Sequence, residues 1–384
     1  MPLPDFIAYE RDPMRVPYNY LPMQFAKPEA IFRDWRRLIR TSEFTLGPFV
    51  EAFEKKFARF IGAKYVVSTN NGTDALIMSL KAVGVRPGDE VISVTNTFYA
   101  TIGAIVAAGA KPVLLDCDER YQIDLNLIER AITRKTRCIL PVHWPGCSPD
   151  MHALMRIARR HGLPVVEDAC MAVGGSVRGR HPGTFGKVNA FSMHPLKPLN
   201  VMGDGGMVAT DDERAYRWML RYRNHGMVDR NHNDIWGVNY RLQPLQAIVA
   251  SHVLDTVPEI VRIRTRNARL LDEGLQQIRP WVVTPSRPAG FKETYGLYMV
   301  LAKKRDALLR HLQKHGVEAK VHYPVPLHLQ KAARVYGYQR GDCPKAEQQA
   351  RELVSLPMHQ YVKPRQIKYM IQCIRSFYSQ QASS

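Results

Sequence analysis

Acidic residues and cysteines are both scarce in this sequence. Among 384 residues, 35 Asp and Glu stand against 54 Lys and Arg, a formal net charge of +19. The six cysteines are scattered, with no C-x-x-C pair. In a chain this long, that reads as reduced, packed thiols and excludes a disulfide frame or a zinc ribbon; no metal site is expected. No run approaches the roughly 18 consecutive apolar residues of a membrane-spanning helix. The opening MPLPDFIAYERDPMRVPYNYLP has no basic start followed by an apolar core, so it does not read as a secretory signal. These absences predict a soluble protein of the cytoplasm. The apolar (45%) and charged (23%) fractions are ordinary for a globular chain, which excludes a disordered or collagen-like one. The basic excess leaves polyanionic partners open, whether nucleic acid, acidic membrane or phosphorylated small molecules.

The first 20 or so residues carry four prolines and little apolar periodicity, and read as an arm. Helices are predicted near Ala30–Arg40 and Gly47–Phe60. From Lys64 to about Thr210, seven Val- and Ile-rich runs (KYVVST, DEVISV, KPVLLD, RCILPV, LPVVED, NAFSMH, MVAT) alternate with helical stretches such as TDALIMSLKAVG, YATIGAIVAAG, DLNLIERAI and MHALMRIARRHG. This alternation predicts an α/β unit with a mostly parallel sheet covered by helices on both faces. Gly84, Gly109 and Gly162 sit where helices should stop. A helical pattern then runs from about Leu245 toward Leu271, with a break expected at Pro258. A smaller α+β segment follows: YGLYMVLA as strand, RDALLRHLQKHG as helix, VEAKVHYP as strand and AEQQARELVS as helix. The predicted organisation is an arm over residues 1–20, a large unit over 21–250 and a small one over 251–384.

Four features of the α/β block carry chemistry, and each has a plainer reading. Asn71-Gly72-Thr73-Asp74 joins a strand to a helix, where backbone N–H groups favour phosphate; it can equally be an ordinary cap. Glu167-Asp168 closes the strand LPVV, and carboxylates at that end of a parallel strand lie where open sheets bind ligands; a cap or a surface acid would look the same. Lys197 stands between Pro195 and Pro198 just beyond another strand, although a chain this rich in lysine offers many surface positions. Gly203-Asp204-Gly205-Gly206 forms a glycine turn, a common device by itself.

Taken in order, these residues resemble the DegT/DnrJ/EryC1/StrS group of pyridoxal-phosphate (PLP) sugar aminotransferases. The resemblance runs from about Val16 to Tyr378. It takes in Leu46-Gly47-Pro48, Thr97-Phe98-Tyr99-Ala100-Thr101, Pro141-Val142-His143, Gly183-Thr184-Phe185-Gly186, Asn239-Tyr240-Arg241-Leu242, Val321-His322-Tyr323-Pro324 with His328, and Leu356-Pro357-Met358-His359. It implies an aspartate-aminotransferase-like fold (PLP fold type I), with a large mostly parallel sheet domain and a smaller α+β domain. It implies further that Lys197 bonds to the cofactor aldehyde and that Asp168 partners the pyridine nitrogen. Phe98 would stack on the ring. Gly72, Thr73 and Ser192 would hold the phosphate, with Asn239 reaching it from a neighbouring subunit in a homodimer. His322, Tyr323 and His328 would line the sugar pocket, though packing of the small domain is the competing account of the histidines. L-Glutamate would donate the amino group and a nucleotide-linked keto-sugar would receive it, with no nucleic acid or membrane partner.

Two departures stand out. Met171 occupies a position where many relatives carry glutamine, which changes the contacts available there. Gly203-Asp204-Gly205-Gly206 with Asn239 and Arg241-Leu242 resembles the branch acting at C3 of keto-sugars, with C4 amination or a cyclitol ketone as alternatives. Lys197 argues against an offshoot that carries histidine there and removes a hydroxyl. A regulatory or nucleic-acid-binding protein would need a concentrated basic stripe. The arginines instead disperse over helix faces, Arg33, Arg36, Arg37 and Arg40 on one, Arg217, Arg221 and Arg223 on another, and read as solvated.

Overall fold

Each of the seven Val- and Ile-rich runs forms a strand in the computed structural model, which describes residues 16–382. Three parallel strands lie in the order Lys111–Leu115, Glu90–Val94, Thr136–Leu140. Four more follow as Val166–Asp168, Val188–Ser192, Gly206–Thr210, Tyr65–Thr69. Parallel bridges Ile139 to Val165 and Val142 to Asp168 join the two groups into one sheet. Only Gly206–Thr210 runs against the rest, pairing antiparallel with both neighbours. The sheet is mostly parallel, as expected. Its strands read as near-continuous apolar runs because both faces are covered. On one side Val67, Leu76, Ile92 and Leu140 belong to a single apolar cluster; on the other Phe53, Phe57, Phe191 and Leu242 form a second. Burying each such side chain contributes about 1.5–3 kcal/mol.

Helices Glu29–Thr41 and Pro48–Ile61 lie where the periodicity put them, as do Gly72–Ala82, Tyr99–Ala107 and Met151–Arg160. Gly206 shows why glycine opens the antiparallel strand: a Cβ there would sit 2.2 Å from the carbonyl oxygen of Asn71. The helical break comes at Asp255–Thr256, between Pro244–Leu254 and Val257–Gln276. Pro258 therefore sits in the first turn of the second helix, where its missing N–H costs nothing.

Val257–Gln276 links the two halves of the chain. It gives Val257 and Val261 to the second cluster and Ala268, Leu271 and Leu275 to a third. That third core covers an antiparallel sheet of Val282–Val283, Tyr298–Ala302 and Leu353–Leu356. Here the sequence-based expectations need correction. VEAKVHYP makes only isolated bridges, Val317 to Val16 and Lys320 to Ser355, because the strand position beside Tyr298–Ala302 is taken by Leu353–Leu356. The helix expected through Ser355 ends at Glu352, and its last apolar residues are that buried strand. The helix Pro364–Ala382 was not anticipated, although Ile367, Met370, Ile374 and Phe377 repeat at helical spacing and are all buried.

Of the expected arm, the residues before Val16 lie outside the described residues; the remainder is packed. Val16 is buried and exchanges backbone hydrogen bonds with Gly316 and Glu318. Arg223 is a second exception: it is 5% exposed rather than solvated, and its guanidinium bonds to Glu54 and Ser68. Among the described residues no helix is long and apolar enough to cross a membrane.

Candidate active site

The parallel strands Tyr65–Thr69, Val166–Asp168 and Val188–Ser192 end on one rim of the sheet, the side on which open α/β sheets bind ligands. A cavity of about 220 Å³ opens there, lined by Gly72, Thr73, Phe98, Asp168, Ser192, Lys197, His322 and Tyr323 among others. Five separate stretches of sequence therefore converge on one space. Lys197 reaches it from a tight turn after Ser192, closed by its own N–H donating to the His194 carbonyl at 2.8 Å.

Glu167 and Asp168 are neighbours with opposite fates, because successive side chains on a strand face opposite sides. Glu167 is fully buried and accepts from Gly183 N at 2.7 Å and Gly186 N at 2.6 Å, with His143 Nε2 at 2.8 Å. Burial works to raise its pKa, but these hydrogen bonds outweigh it and hold the carboxyl below its ordinary range. Asp168 lines the cavity. Its Oδ2 accepts from Thr101 Oγ1 at 2.7 Å and its Oδ1 from Cys170 N at 3.2 Å. Thr101 is held in turn by Thr97, 2.9 Å away between hydroxyl oxygens. The carboxylate is thus oriented from both oxygens.

Burial depresses the Lys197 pKa, with the nearby Cys170 and Asp168 pulling the other way. Its Nζ lies 2.6 Å from Met171 Sδ. The Cys170 thiol is pushed up, chiefly by burial and then by Asp168. An amine biased toward its neutral form opposite a fixed carboxylate suits carbonyl chemistry.

The remaining lining tests whether PLP can be held here. A Cβ on Gly72 would come within 2.7 Å of Ser192 Cβ, so only glycine lets the helix N-terminus approach the Ser192 hydroxyl so closely. The first N–H groups of Gly72–Ala82 and the hydroxyls of Thr73 and Ser192 form a donor set suited to a phosphate monoester. Phe98, 47% exposed, offers an aromatic face. Phosphate donors, an aromatic face, a carboxylate and an amine surround one cavity, so the residues fit the cofactor.

The C-terminal half reaches the same cavity through His322 and Tyr323. His322 Nδ1 is 2.9 Å from Ser355 Oγ, and burial lowers its pKa to about 4, helped by Lys320 and Lys197. The Tyr323 ring lies 6.0 Å from that of Phe98 and 5.7 Å from that of Trp144; burial raises its hydroxyl to about 12, with Tyr99 adding to the shift. His328 is not brought to this site. It is fully buried, with Nδ1 2.9 Å from Thr95 Oγ1 and Nε2 3.1 Å from Glu347 Oε1, so packing accounts for it. Asn239 is exposed and outside the lining of its own chain's cavity. Sequence reasoning gave no role to Thr101 or Trp144. Thr101 stands three residues after Phe98 on the first turn of Tyr99–Ala107, a spacing that would have shown it facing the same way.

Fold and cavity together define a PLP-dependent transaminase of fold type I. The chain belongs to the DegT/DnrJ/EryC1/StrS aminotransferase family, whose model matches residues 27–375. It is 39% identical to the "Pleiotropic regulatory protein" of Geobacillus stearothermophilus over 95% of this chain and 99% of that one. It is 37% identical to the UDP-2-acetamido-2-deoxy-3-oxo-D-glucuronate aminotransferase of Pseudomonas aeruginosa, over 87% of this chain and 92% of that one. The X-ray structure of DesV from S. venezuelae superposes with a TM-score of 0.91 at 35% identity, covering 94% of this chain and 98% of that one. Further relatives are named as a 3-aminotransferase of a UDP-linked 3-dehydro sugar and as transaminases of dTDP-linked 3-amino sugars.

Proposed function

We propose that this protein transfers the amino group of L-glutamate to a nucleotide-linked 3-keto sugar, for amino-sugar biosynthesis in the cytoplasm. The observation that carries the reading is the convergence of Lys197, Asp168 and the Gly72–Ser192 cradle on one cavity. When bound, the cofactor supplies a ring that withdraws electrons from the carbon losing its proton. Asp168, oriented by Thr101 and the Cys170 amide, holds a proton on the pyridine nitrogen. Lys197 Nζ would take the proton from the donor's α-carbon and hand it on to the cofactor carbon that keeps the amino group, a role suited to an amine whose pKa burial lowers. Gly72, Thr73 and Ser192 bind the phosphate and Phe98 supports the ring. His322 and Tyr323 orient the sugar and narrow the entrance to water.

Asn239, exposed on its own chain, completes the phosphate site of a second copy in a homodimer. The division into an arm over 1–20, a large unit over 21–250 and a small one over 251–384 belongs to the same proposal. The third apolar core supports a separate small unit; it also takes in Val16, while Val253, Leu254, Val257 and Val261 belong to the second core. Amination at C3 is favoured by the 3-oxo sugar in the name of the Pseudomonas relative. The name of the Geobacillus relative favours a regulatory reading instead. A panel of 3-keto and 4-keto nucleotide sugars with glutamate, scored by product mass, separates them. Amination of the 3-keto members supports the proposal, turnover of 4-keto members alone refutes the C3 assignment, and no amination anywhere favours the regulatory reading.

A further inference from the structure

We infer that Ser355 is a positioning residue for His322: its hydroxyl donates to Nδ1 and so fixes the ring tautomer that offers Nε2–H to an acceptor oxygen of the keto-sugar. The inference rests on the reading of His322 as a residue of the sugar pocket. Ser355 lies on the strand Leu353–Leu356, is fully buried and is not part of the cavity lining. Its backbone N–H and carbonyl both pair with Lys320, at 2.8 and 2.9 Å. Its hydroxyl reaches His322, two residues beyond Lys320, with Oγ 2.9 Å from Nδ1. The His322 ring is confined by its neighbours. It stacks on Tyr18 with centroids 5.9 Å apart and meets the Tyr323 ring edge-on at 5.4 Å. With Nδ1 turned to Ser355, Nε2 is the edge left for a ligand in the cavity that His322 lines.

The direction of the Ser355–His322 bond follows from the protons available. Burial, with Lys320 and Lys197, lowers the His322 pKa to about 4, so at neutral pH the ring carries a single N–H. Were that hydrogen on Nδ1, it would point to Oγ, and the Ser355 hydroxyl hydrogen would have no acceptor among the described residues, in a place closed to solvent. A buried donor without a partner carries its full desolvation cost. With the hydrogen on Nε2, Ser355 donates to Nδ1 and both buried groups are satisfied. The hydrogen bond at one ring nitrogen thus sets the state of the other. Nε2 meets the substrate as a donor, which suits binding and orientation of an oxygen and excludes a role as base at that atom.

The tautomer can be read without turnover. The full-length protein in its pyridoxamine-phosphate form is prepared with carbon-13 in the histidine rings, whose shifts report which nitrogen carries the hydrogen. The His322 signal is the one missing from His322→Gln. At neutral pH the parent should show the Nε2–H form, and Ser355→Ala a mixture of the two forms. A parent signal in the Nδ1–H form overturns the inference, and decides the matter even if the Ser355 variant does not fold. An Ala variant that keeps the Nε2–H form unmixed overturns it as well. The two half-reactions then separate positioning from packing. Ser355→Ala should weaken binding of the most rapidly aminated member of the keto-sugar panel about three- to tenfold, the range of one lost hydrogen bond. The glutamate half-reaction should move less than about twofold. Equal losses in both half-reactions would assign Ser355 to packing alone. His322→Gln, which still offers an N–H, should bind the sugar more tightly than His322→Leu. Sugar binding unchanged in His322→Leu refutes the sugar-pocket reading of His322, whereas a loss there with the parent in the Nδ1–H form refutes the Ser355 inference alone.

Discussion

The rim of the large sheet and the C-terminal segment around residues 321–328 both send side chains toward the cavity, but by different means. On the rim, strand ends do the placing: Asp168 and Ser192 stand at the ends of adjacent parallel strands, and Lys197 follows in a tight turn. In the C-terminal segment there is no regular strand, only a bridge from Lys320 to Ser355, and position along the chain is a poor guide to position in space. His322 and Tyr323 reach the cavity, while His328, six residues on, is locked between Thr95 and Glu347. A side chain on a pleated strand has its direction set by the backbone period, whereas one on an irregular segment takes whatever direction its packing leaves.

The largest expected effect lies on the rim. Lys197→Ala should lower amination by at least about a thousandfold while leaving the far-ultraviolet circular dichroism unchanged. Near-normal turnover would remove the rim from the chemistry. The neighbouring carboxylates sharpen the contrast. Asp168→Ala should cost roughly a hundredfold or more in kcat. Glu167→Gln should instead lower stability by about 1–3 kcal/mol, since a buried hydrogen-bonded network loses a partner, with turnover per folded molecule little changed. Equal kinetic losses at both positions would break the distinction between the two faces of that strand.

The C-terminal segment should divide the same way. Tyr323→Ala should raise KM for the sugar about tenfold, near 1.4 kcal/mol, measured with glutamate saturating. His328→Ala should leave KM alone and lower the denaturation midpoint, because Thr95 and Glu347 lose their buried partner. A KM effect at His328 as large as that at Tyr323 would return it to the sugar pocket.

A smaller effect concerns acid. Burial lowers the pKa of His322, His359 and His181 to about 4 in the folded protein. Unfolded, each binds its proton near 6.5. Between those values the unfolded chain holds more protons, so stability falls as pH drops from about 6.5 toward 4. Urea midpoints at pH 7.5 and 5 check this; an unchanged or higher midpoint at pH 5 contradicts it.

The fold was legible where period and placement agree. Seven apolar runs separated by helical stretches specify a covered parallel sheet, and all seven are strands. The C-terminal half was less so, because ELVS continues a helical pattern in sequence, and only pairing with Tyr298–Ala302 turns Leu353–Leu356 into a strand. The site followed the same division. Asp168 and Ser192 could be placed from strand ends and Lys197 from the turn beyond one, whereas the sequestration of His328 depends on Glu347, a partner no local pattern announces. Arg223 was misread for a similar reason: a helix-face pattern does not reveal that Glu54, far away in sequence, lies opposite.

The central claim is that Lys197 is the residue through which this cavity holds and uses its cofactor. Borohydride reduction of the PLP-loaded protein, followed by peptide mass mapping, tests it most directly. The account predicts that the yellow absorption band is lost and that the cofactor mass appears on the peptide containing Lys197. Recovery of that mass on a different lysine, or loading and reduction that proceed equally in Lys197→Ala, would contradict it.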